Sequence, residues 1–359
     1  MELNNQIIQI KNKPILSLSG QSEKLFFGES GHGISRYDEV RYPIFTKLNV
    51  KMQSFAWRPN LVDMSGEKAS FAKLTPSEQF VFTSNLKRQT LLDSVQGRAP
   101  ALCFLPHCTD PSLENCILTW GFFESIHSES YTHIIRAIYP DPKVIFDDLV
   151  NIRPIVDCAN DVTQAYDKVI QSPTKENLYM ALIAANALES IRFYVSFACT
   201  FSFLERGLME GSAKLIKLIA RDETEHMALV QHILKVLPKD DPEFAMIAKD
   251  NATAARKIFE SAAEQEKAWA SYLFKDNPML GLNESILCHY VDYLLNRRLL
   301  AAKIIDKPET RIDNPIPWIE KHLSSSSTQV APQEVELSNY LTASLENDME
   351  KMDLSLLLN

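Results

Sequence analysis

Residues 176–207, which read ENLYMALIAANALESIRFYVSFACTFSFLERG, are apolar on nearly every side when they are placed at helical spacing. A helix at the surface of a globular protein has one apolar stripe, whereas a helix that is apolar all round lies in the middle of a bundle. The chain has 359 residues, which is long enough to bury such a helix, and only 10 of them are glycine. The sequence therefore predicts an all-α fold around this segment.

The rest of the chain carries the start and stop signals of further helices. Residues 75–78 (TPSE) form a capping-box sequence with proline at the first helical position. Residues 110–111 (DP) begin another helix, which we expect to end near Pro140. Other helices are expected over 142–171, 213–237, 242–274 and 284–303. We expect Pro238 to stop the helix that precedes it, because proline lacks a backbone N–H.

These signals divide the chain into three parts. Residues 1–40 are expected to form an irregular N-terminal arm, and residues 41–322 a single helical domain. Residues 323–359 carry a run of four serines near their start and little core-forming pattern until the leucines at their end, so we expect a flexible tail. A tail that keeps leucines at its tip is typical of a segment that docks on a partner.

Composition excludes several function classes. The net charge is −9 and no run of lysine and arginine is present, which argues against a nucleic-acid partner. We expect no membrane partner, because no apolar stretch reaches membrane-spanning length and the N-terminus lacks a signal-peptide core. The six cysteines form no C-x-x-C pair, which is typical of scattered thiols in a reducing compartment. The expected location is the cytoplasm.

The motif Glu-x-x-His occurs twice, and each copy follows a lone acid on the preceding predicted helix. The residues of the two sets are Asp93, Glu124 and His127, then Glu189, Glu223 and His226. One copy alone is also typical of an ion pair on a helix surface. Four acids that face one core would repel each other and would be costly to desolvate without cations. The pattern therefore indicates metal binding.

The two sets match the ligand arrangement of ferritin-like di-metal carboxylate bundles. Four carboxylates and two imidazoles can hold two divalent cations and leave positions open for dioxygen. Glu189 carries most of this interpretation, because it lies in the nearly all-apolar segment. Its alternative is a buried ion pair with Arg192, and the alternative for Asp93 is an ordinary surface acid.

Tyr131 lies one helical turn beyond His127, on the same face. Phe193 and Phe197 follow Glu189 at helical spacing, and Ile219 precedes Glu223 by one turn. Together these apolar side chains predict a pocket that keeps water away from an oxidisable tyrosine. Simple core packing is the alternative for each apolar residue taken singly.

Several long segments resemble one family, the small, radical-generating subunit of class I ribonucleotide reductase of the aerobic bacterial type. They are QSFAWRP (53–59), NLKRQTLLDSVQGR (85–98), ESIHSESYTHIIR (124–136), NALESIRFYVSFAC (186–199), LIARDETEH (218–226), NPIPWI (314–319) and QVAPQEVELSNYL (329–341). The resemblance covers nearly the whole chain. It implies a ferritin-like helical bundle with additional helices and a flexible C-terminal tail.

The resemblance also implies residue roles. It makes the two acid–histidine sets the metal ligands and Tyr131 the radical carrier. It implies radical transfer through His127, Asp222 and Trp57, and then through Tyr340 in the tail. Without the resemblance, Trp57 would be a core residue and Asp222 a surface acid beside Arg221.

The implied cofactor is a pair of iron ions in an oxo-bridged centre, with manganese or a mixed manganese–iron pair as alternatives. Some relatives carry phenylalanine at the radical position and use the mixed pair, so Tyr131 favours the tyrosyl-radical type. The implied partners are O2, an electron donor, a second copy of the chain, and the large subunit, on which the tail docks. Nucleotide reduction is expected in that large subunit, with ribonucleoside diphosphates as the favoured substrates over triphosphates.

Three other functions remain open at this point. A di-iron oxidase that acts on its own small substrate could use the same ligands. Ferritin-type iron storage fits less well, because such chains are about half as long and form shells. A structural bundle with accidental acids would bind no metal. Metal identity, allosteric regulation and the electron donor do not follow from the sequence.

Overall fold

A computed structural model describes residue 16 and residues 23–28, 33–275, 279–308 and 310–323. Residues 324–359 lie outside the described residues, so the predicted tail and Tyr340 within it are not described. The division of the chain into arm, helical domain and tail stays a prediction.

The prediction of an all-α fold is confirmed, since the described residues contain helices and two isolated bridges but no strand. The α-helices are α1 (Pro43–Ser54), α2 (Glu67–Phe71), α3 (Pro76–Gln96), α4 (Pro111–Ile138), α5 (Pro142–Leu149), α6 (Arg153–Gln171), α7 (Lys175–Ile191), α8 (Tyr194–Leu204), α9 (Glu210–Asp240), α10 (Pro242–Asp250), α11 (Ala252–Phe274), α12 (Glu284–Ala301) and α13 (Glu320–Leu323). A short π-helical segment, Pro100–Phe104, lies between α3 and α4.

The apolar segment forms the centre of the core, and every residue from 181 to 203 is buried. The prediction of one continuous helix is wrong, because the chain breaks at Arg192 and Phe193 between α7 and α8. The break exposes backbone N–H groups at the start of α8, and Val195 N donates to Glu266 Oε1 of α11 at 2.9 Å. Glu266 is in turn paired with the buried Arg88 of α3 at 2.6 Å. The packing of α11 therefore makes the break stable.

Residues 175–204 also correct the expectation about apolar length, because this span is long and apolar enough to cross a membrane. Its most apolar window is wholly buried inside the structure. Lipid could not reach those side chains, so the burial identifies a core segment.

The helix starts follow the sequence signals more closely than the helix ends do. Thr75 and Glu78 form the capping box of α3, and the side chain of Asp110 caps α4 by accepting from two backbone N–H groups. The expected stop before Pro238 is wrong, since α9 continues to Asp240. Proline in the last turn removes only one hydrogen bond from a helix of 31 residues.

Helix packing brings four long helices together. Helix α3 packs on α4, and α9 packs on both α7 and α4. Residues 23–28 attach beside this bundle, where Leu25 N donates to Asp240 Oδ2 at 2.8 Å. Leu25 and Phe26 are fully buried. The four helices α3, α4, α7 and α9 carry the two acid–histidine sets.

Candidate metal centre

The six acid and histidine residues of the sequence motifs lie together at the centre of the bundle. They form two groups whose candidate ligand atoms lie within 4.8 Å of one another: Asp93, Glu124, His127 and Glu223 in one, and Glu124, Glu189, Glu223 and His226 in the other. All six side chains are fully buried. Glu124 and Glu223 belong to both groups, so each of these carboxylates could serve as a ligand at either cation position.

Each imidazole faces both shared carboxylates. His127 Nδ1 lies 3.3 Å from Glu223 Oε1 and 3.6 Å from Glu124 Oε2. His226 Nδ1 lies 3.2 Å from Glu124 Oε1 and 3.2 Å from Glu223 Oε2. Asp93 and Glu189 are more peripheral, since each lies 4.0 Å from the imidazole of its group.

Many of the buried polar atoms in this cluster make no hydrogen bond within the described part of the chain. They are Asp93 Oδ1 and Oδ2, Glu124 Oε2, His127 Nδ1, Glu189 Oε2, Glu223 Oε1 and His226 Nε2. Each buried polar atom without a partner costs about 1–3 kcal/mol, and more when it is charged. Oxygen and imidazole ligands are those that iron and manganese accept. The residues therefore fit a pair of divalent metal ions.

The pKa shifts of the acids and histidines show that the cluster favours bound protons, which are positive charges. Burial raises the pKa of Asp93 and Glu189 well above the usual value, and the neighbouring carboxylates raise it further. The carboxylates also raise the pKa of His127 well above its usual value and that of His226 to about 9, although burial alone would lower both. Glu223 has a lowered pKa despite its burial, because the neighbouring Glu189 carboxyl group and the two imidazoles favour its charged form.

Two hydrogen-bond donors that the sequence interpretation missed hold the carboxylates. Trp120 Nε1 donates to Glu124 Oε1 at 2.9 Å, and Gln96 Nε2 donates to Glu189 Oε1 at 2.5 Å. Both could have been found, since Trp120 precedes Glu124 by one turn and Gln96 follows Asp93 by one turn. These bonds orient the carboxylates within the core.

The alternatives for Glu189 and Asp93 do not hold in this structure. Arg192 donates to Cys158 Sγ at 2.8 Å and also contacts Gln265, so it is not the partner of Glu189. Asp93 is fully buried and cannot be a surface acid.

Tyr131 is fully buried, and its hydroxyl makes no hydrogen bond of ordinary length to any described residue. Burial raises the pKa of the phenol well above its usual value, and the charges of Asp93 and Glu223 raise it further. The phenol therefore lies close to the carboxylate–histidine cluster.

Phe193, Phe197 and Ile219 are also fully buried, and the two phenylalanine rings stack at 6.0 Å. Phe193 lies in the break between α7 and α8, so its position does not follow from the spacing of one continuous helix. The grouping of these three side chains around Tyr131 stays a prediction.

A chain of hydrogen bonds leads from the metal centre to Trp57. His127 Nε2 lies 3.3 Å from Asp222 Oδ2, and Trp57 Nε1 donates to the same oxygen at 2.7 Å. Asp222 is buried, so its alternative as a surface acid does not hold. Arg221 braces this arrangement, because it donates to both Asp222 Oδ1 and the backbone oxygen of Phe55.

Comparison with known proteins places this chain in a family. Residues 35–304 match the family model described as ribonucleotide reductase, small chain. The ribonucleoside-diphosphate reductase subunit beta of Haemophilus influenzae is 47% identical, over 92% of this chain and 94% of the relative. The ribonucleoside-diphosphate reductase 1 subunit beta of Escherichia coli O157:H7 is 46% identical, over 93% and 95%.

A solved structure agrees in fold. The ribonucleotide reductase R2 subunit of Clostridium botulinum superposes with a TM-score of 0.80 at 24% identity, covering 87% of this chain and 98% of that one. The matched family region contains all six residues of the carboxylate–histidine site as well as Trp57, Tyr131 and Asp222. The chain belongs to the ribonucleotide reductase small-chain family.

Proposed function

We propose that this chain is the radical-generating small subunit of a ribonucleoside-diphosphate reductase, which oxidises Tyr131 and passes the oxidising equivalent to a large subunit that reduces ribonucleotides to deoxyribonucleotides. The observation that carries this proposal is the position of a buried phenol beside a buried cluster of four carboxylates and two imidazoles. The names of the relatives support the same reaction.

In this proposal six residues hold two metal ions: Asp93, Glu124, His127, Glu189, Glu223 and His226. When bound, the two metal ions would supply the oxidising power through the four-electron reduction of O2 to the level of water, for which the metals would give two electrons, Tyr131 one and an external donor one. Iron is the proposed metal, and manganese or a mixed pair suits the same ligands.

The protein must keep the oxidised phenol away from water and reductants. The complete burial of Tyr131 serves this purpose, and we propose that Phe193, Phe197 and Ile219 line its pocket. Because its pKa is raised, the phenol is protonated at physiological pH, so its oxidation removes the hydroxyl proton together with an electron.

We propose that the hydrogen bonds among His127, Asp222 and Trp57 conduct the oxidising equivalent out of the bundle. Asp222 Oδ2 is the shared acceptor, which fixes the imidazole and the indole relative to each other. Trp57 is only 3% exposed, so a further carrier is needed to reach a partner. Tyr340 is the proposed carrier.

The proposed partner is the large subunit, which residues 323–359 would engage. The chain itself is proposed to be a homodimer. Its proposed location is the cytoplasm, and the six free cysteines are in keeping with a reducing compartment. A di-iron oxidase with its own small substrate is not favoured, because the named relatives are reductase subunits.

Removal of residues 325–359 tests the proposal. After reconstitution with ferrous iron and air, the truncated protein should form the Tyr131 radical at the normal yield. It should no longer support deoxyribonucleotide formation when its large subunit is added, since docking and Tyr340 are both lost.

The intact chain with Tyr131→Phe is the matched control, because it retains the tail and lacks the radical. Both variants should be inactive for different reasons. Full reductase activity of either variant would contradict the proposal.

A further inference from the structure

A residue outside the four ligand-bearing helices reaches the metal centre through one intermediary. Tyr166 of α6 donates from its hydroxyl to Gln96 Oε1 at 2.6 Å. The other end of the same amide, Gln96 Nε2, donates to Glu189 Oε1 at 2.5 Å. All three side chains are buried, so water does not compete for these bonds.

The direction of these hydrogen bonds follows from the chemistry of the groups. A glutamine amide has a donor end and an acceptor end, and reversal would place its oxygen against the Glu189 carboxylate. The Tyr166 hydroxyl can satisfy the amide oxygen only when that oxygen points away from Glu189. The tyrosine therefore holds the amide in the orientation in which its NH2 group faces the carboxylate.

Glu189 is left with one oxygen held and one oxygen free. Oε1 accepts from Gln96, whereas Oε2 has no hydrogen-bond partner among the described residues and lies 4.0 Å from His226 Nδ1. A carboxylate fixed in this way presents one oxygen, Oε2, to the ligand group that contains His226.

We propose that Tyr166 is a positioning residue of the metal centre, which acts through Gln96 to fix Glu189 as a ligand of one of the two metal positions. The inference rests on the proposed function, because it needs two metal ions in the carboxylate–histidine site. It assigns to α6 a part in metal binding.

The ring of Tyr166 is itself held in place. The ring of Phe104, in the π-helical segment, packs edge-to-face with the ring of Tyr166 at a centroid distance of 6.1 Å. The ring of Phe104 also stacks on Trp120 at a centroid distance of 5.7 Å. Trp120 donates to Glu124, and Tyr166 acts on Glu189 through Gln96. Phe104 therefore packs against the residues that orient both carboxylates. The π-helical segment thus braces the surroundings of the site.

Glu124 and Glu189 differ in the number of metal positions that they would serve. Glu124 belongs to both ligand groups, whereas Glu189 belongs only to the group that contains His226. Removal of the Tyr166 hydroxyl should therefore weaken one metal position and spare the other. A general loosening of the bundle would weaken both positions together.

The test is a titration of the metal-free, full-length protein with Mn2+, followed by electron paramagnetic resonance. This ion reports the number of occupied positions and also the magnetic coupling between two neighbouring ions. In Tyr166→Phe, which keeps the ring, we expect one position within twofold of the parent and the other weaker by about 10- to 100-fold. The signal of single, uncoupled ions should then appear at metal levels that fill both positions of the parent.

Tyr139→Phe is the matched control, because it removes the hydroxyl of a half-buried tyrosine that bonds to Thr83 outside the carboxylate–histidine site. It should leave both positions unchanged. Equal affinities of Tyr166→Phe and the parent, or an equal loss at both positions, would overturn the assignment. A parent protein that binds fewer than two ions would contradict the proposed function itself, so the two failures can be told apart.

Discussion

Asp222 lies between the proposed metal centre and the proposed radical-transfer path, because one of its oxygens serves both His127 and Trp57. Its other oxygen accepts from Arg221. An asparagine at this position would have to turn its NH2 group toward one of these donors. Asp222→Asn should therefore disturb the path and leave the ligands in place.

We expect Asp222→Asn to form the tyrosyl radical at the parent's yield and to lose about 10- to 100-fold in turnover with the large subunit. This range corresponds to the roughly 1.5–3 kcal/mol of a hydrogen bond to a charged group. Radical yield and deoxyribonucleotide formation are measured on the same sample. Asp250→Asn, at an exposed helix end, is the control. Unchanged turnover of Asp222→Asn would show that the path lies elsewhere.

Asp241 makes stability depend on pH. Its carboxylate accepts from Lys175 at 2.8 Å and from Lys24 at 3.0 Å, and these cations lower its pKa from 3.8 to about 2 in spite of burial. A pKa that is lower in the folded state gives stability that is present above about pH 4 and is lost as the pH falls toward 2.

Asp241→Asn should therefore lower the free energy of unfolding by about 2 kcal/mol at pH 7, and by roughly half of that near pH 3. Urea unfolding at the two pH values measures the difference. Asp313→Asn, which replaces an exposed partner of Arg311, should change little at either pH. A loss of stability that is equal at both pH values would contradict this role of the charge.

At the scale of single residues, sequence spacing predicts contacts within one helix. Glu124 and His127 share a face for this reason, and Trp120 and Gln96 could have been added by the same rule. Tyr166 could not, because its approach to Gln96 depends on how α6 packs on α3. Spacing also did not predict the break at Phe193, where the helix was assumed to continue.

At the scale of elements, the break between α7 and α8 depends on a buried ion pair. Glu266 accepts from Val195 N at the start of α8 and is paired with Arg88, and both charged side chains are fully or almost fully buried. Removal of one charge from such a pair leaves the other uncompensated.

We expect Glu266→Gln to destabilise the protein by about 3–5 kcal/mol, as measured by chemical unfolding. Glu260→Gln on the same helix removes a partly exposed pair with Arg256 and should cost at most about 1 kcal/mol. Similar losses for the two variants would mean that Arg88 finds another partner when Glu266 is neutral.

The break itself was not predictable from the local sequence. Residues 189–195 (ESIRFYV) contain neither glycine nor proline, and apolar periodicity continues across them. The groups that stabilise the break come from α3 and α11, far away in the chain. Helix starts were predictable because proline and capping side chains act locally, as at residues 75–78.

At the scale of the whole molecule, the class of fold was predictable from one apolar segment and a scarcity of glycine. The site was predictable because two helix pairs repeat one pattern of acid and histidine. The packing that brings the two pairs together is not a property of any single segment. It appears only when α9 lies against both α4 and α7.

We expect the purified protein to be a homodimer. Light scattering should give twice the mass of the chain at all concentrations above the micromolar range. The mass of a large shell would instead support iron storage, and the mass of a monomer would contradict the predicted homodimer.

The central claim is that six buried side chains hold two metal ions close enough to oxidise Tyr131. Low-temperature electron paramagnetic resonance, combined with metal quantification, tests it on protein reconstituted with ferrous iron and air. We predict about two iron ions per chain in both the parent and Tyr131→Phe, and a tyrosyl radical signal in the parent alone. A radical signal that persists unchanged in Tyr131→Phe, or a parent that binds no metal, would contradict the account.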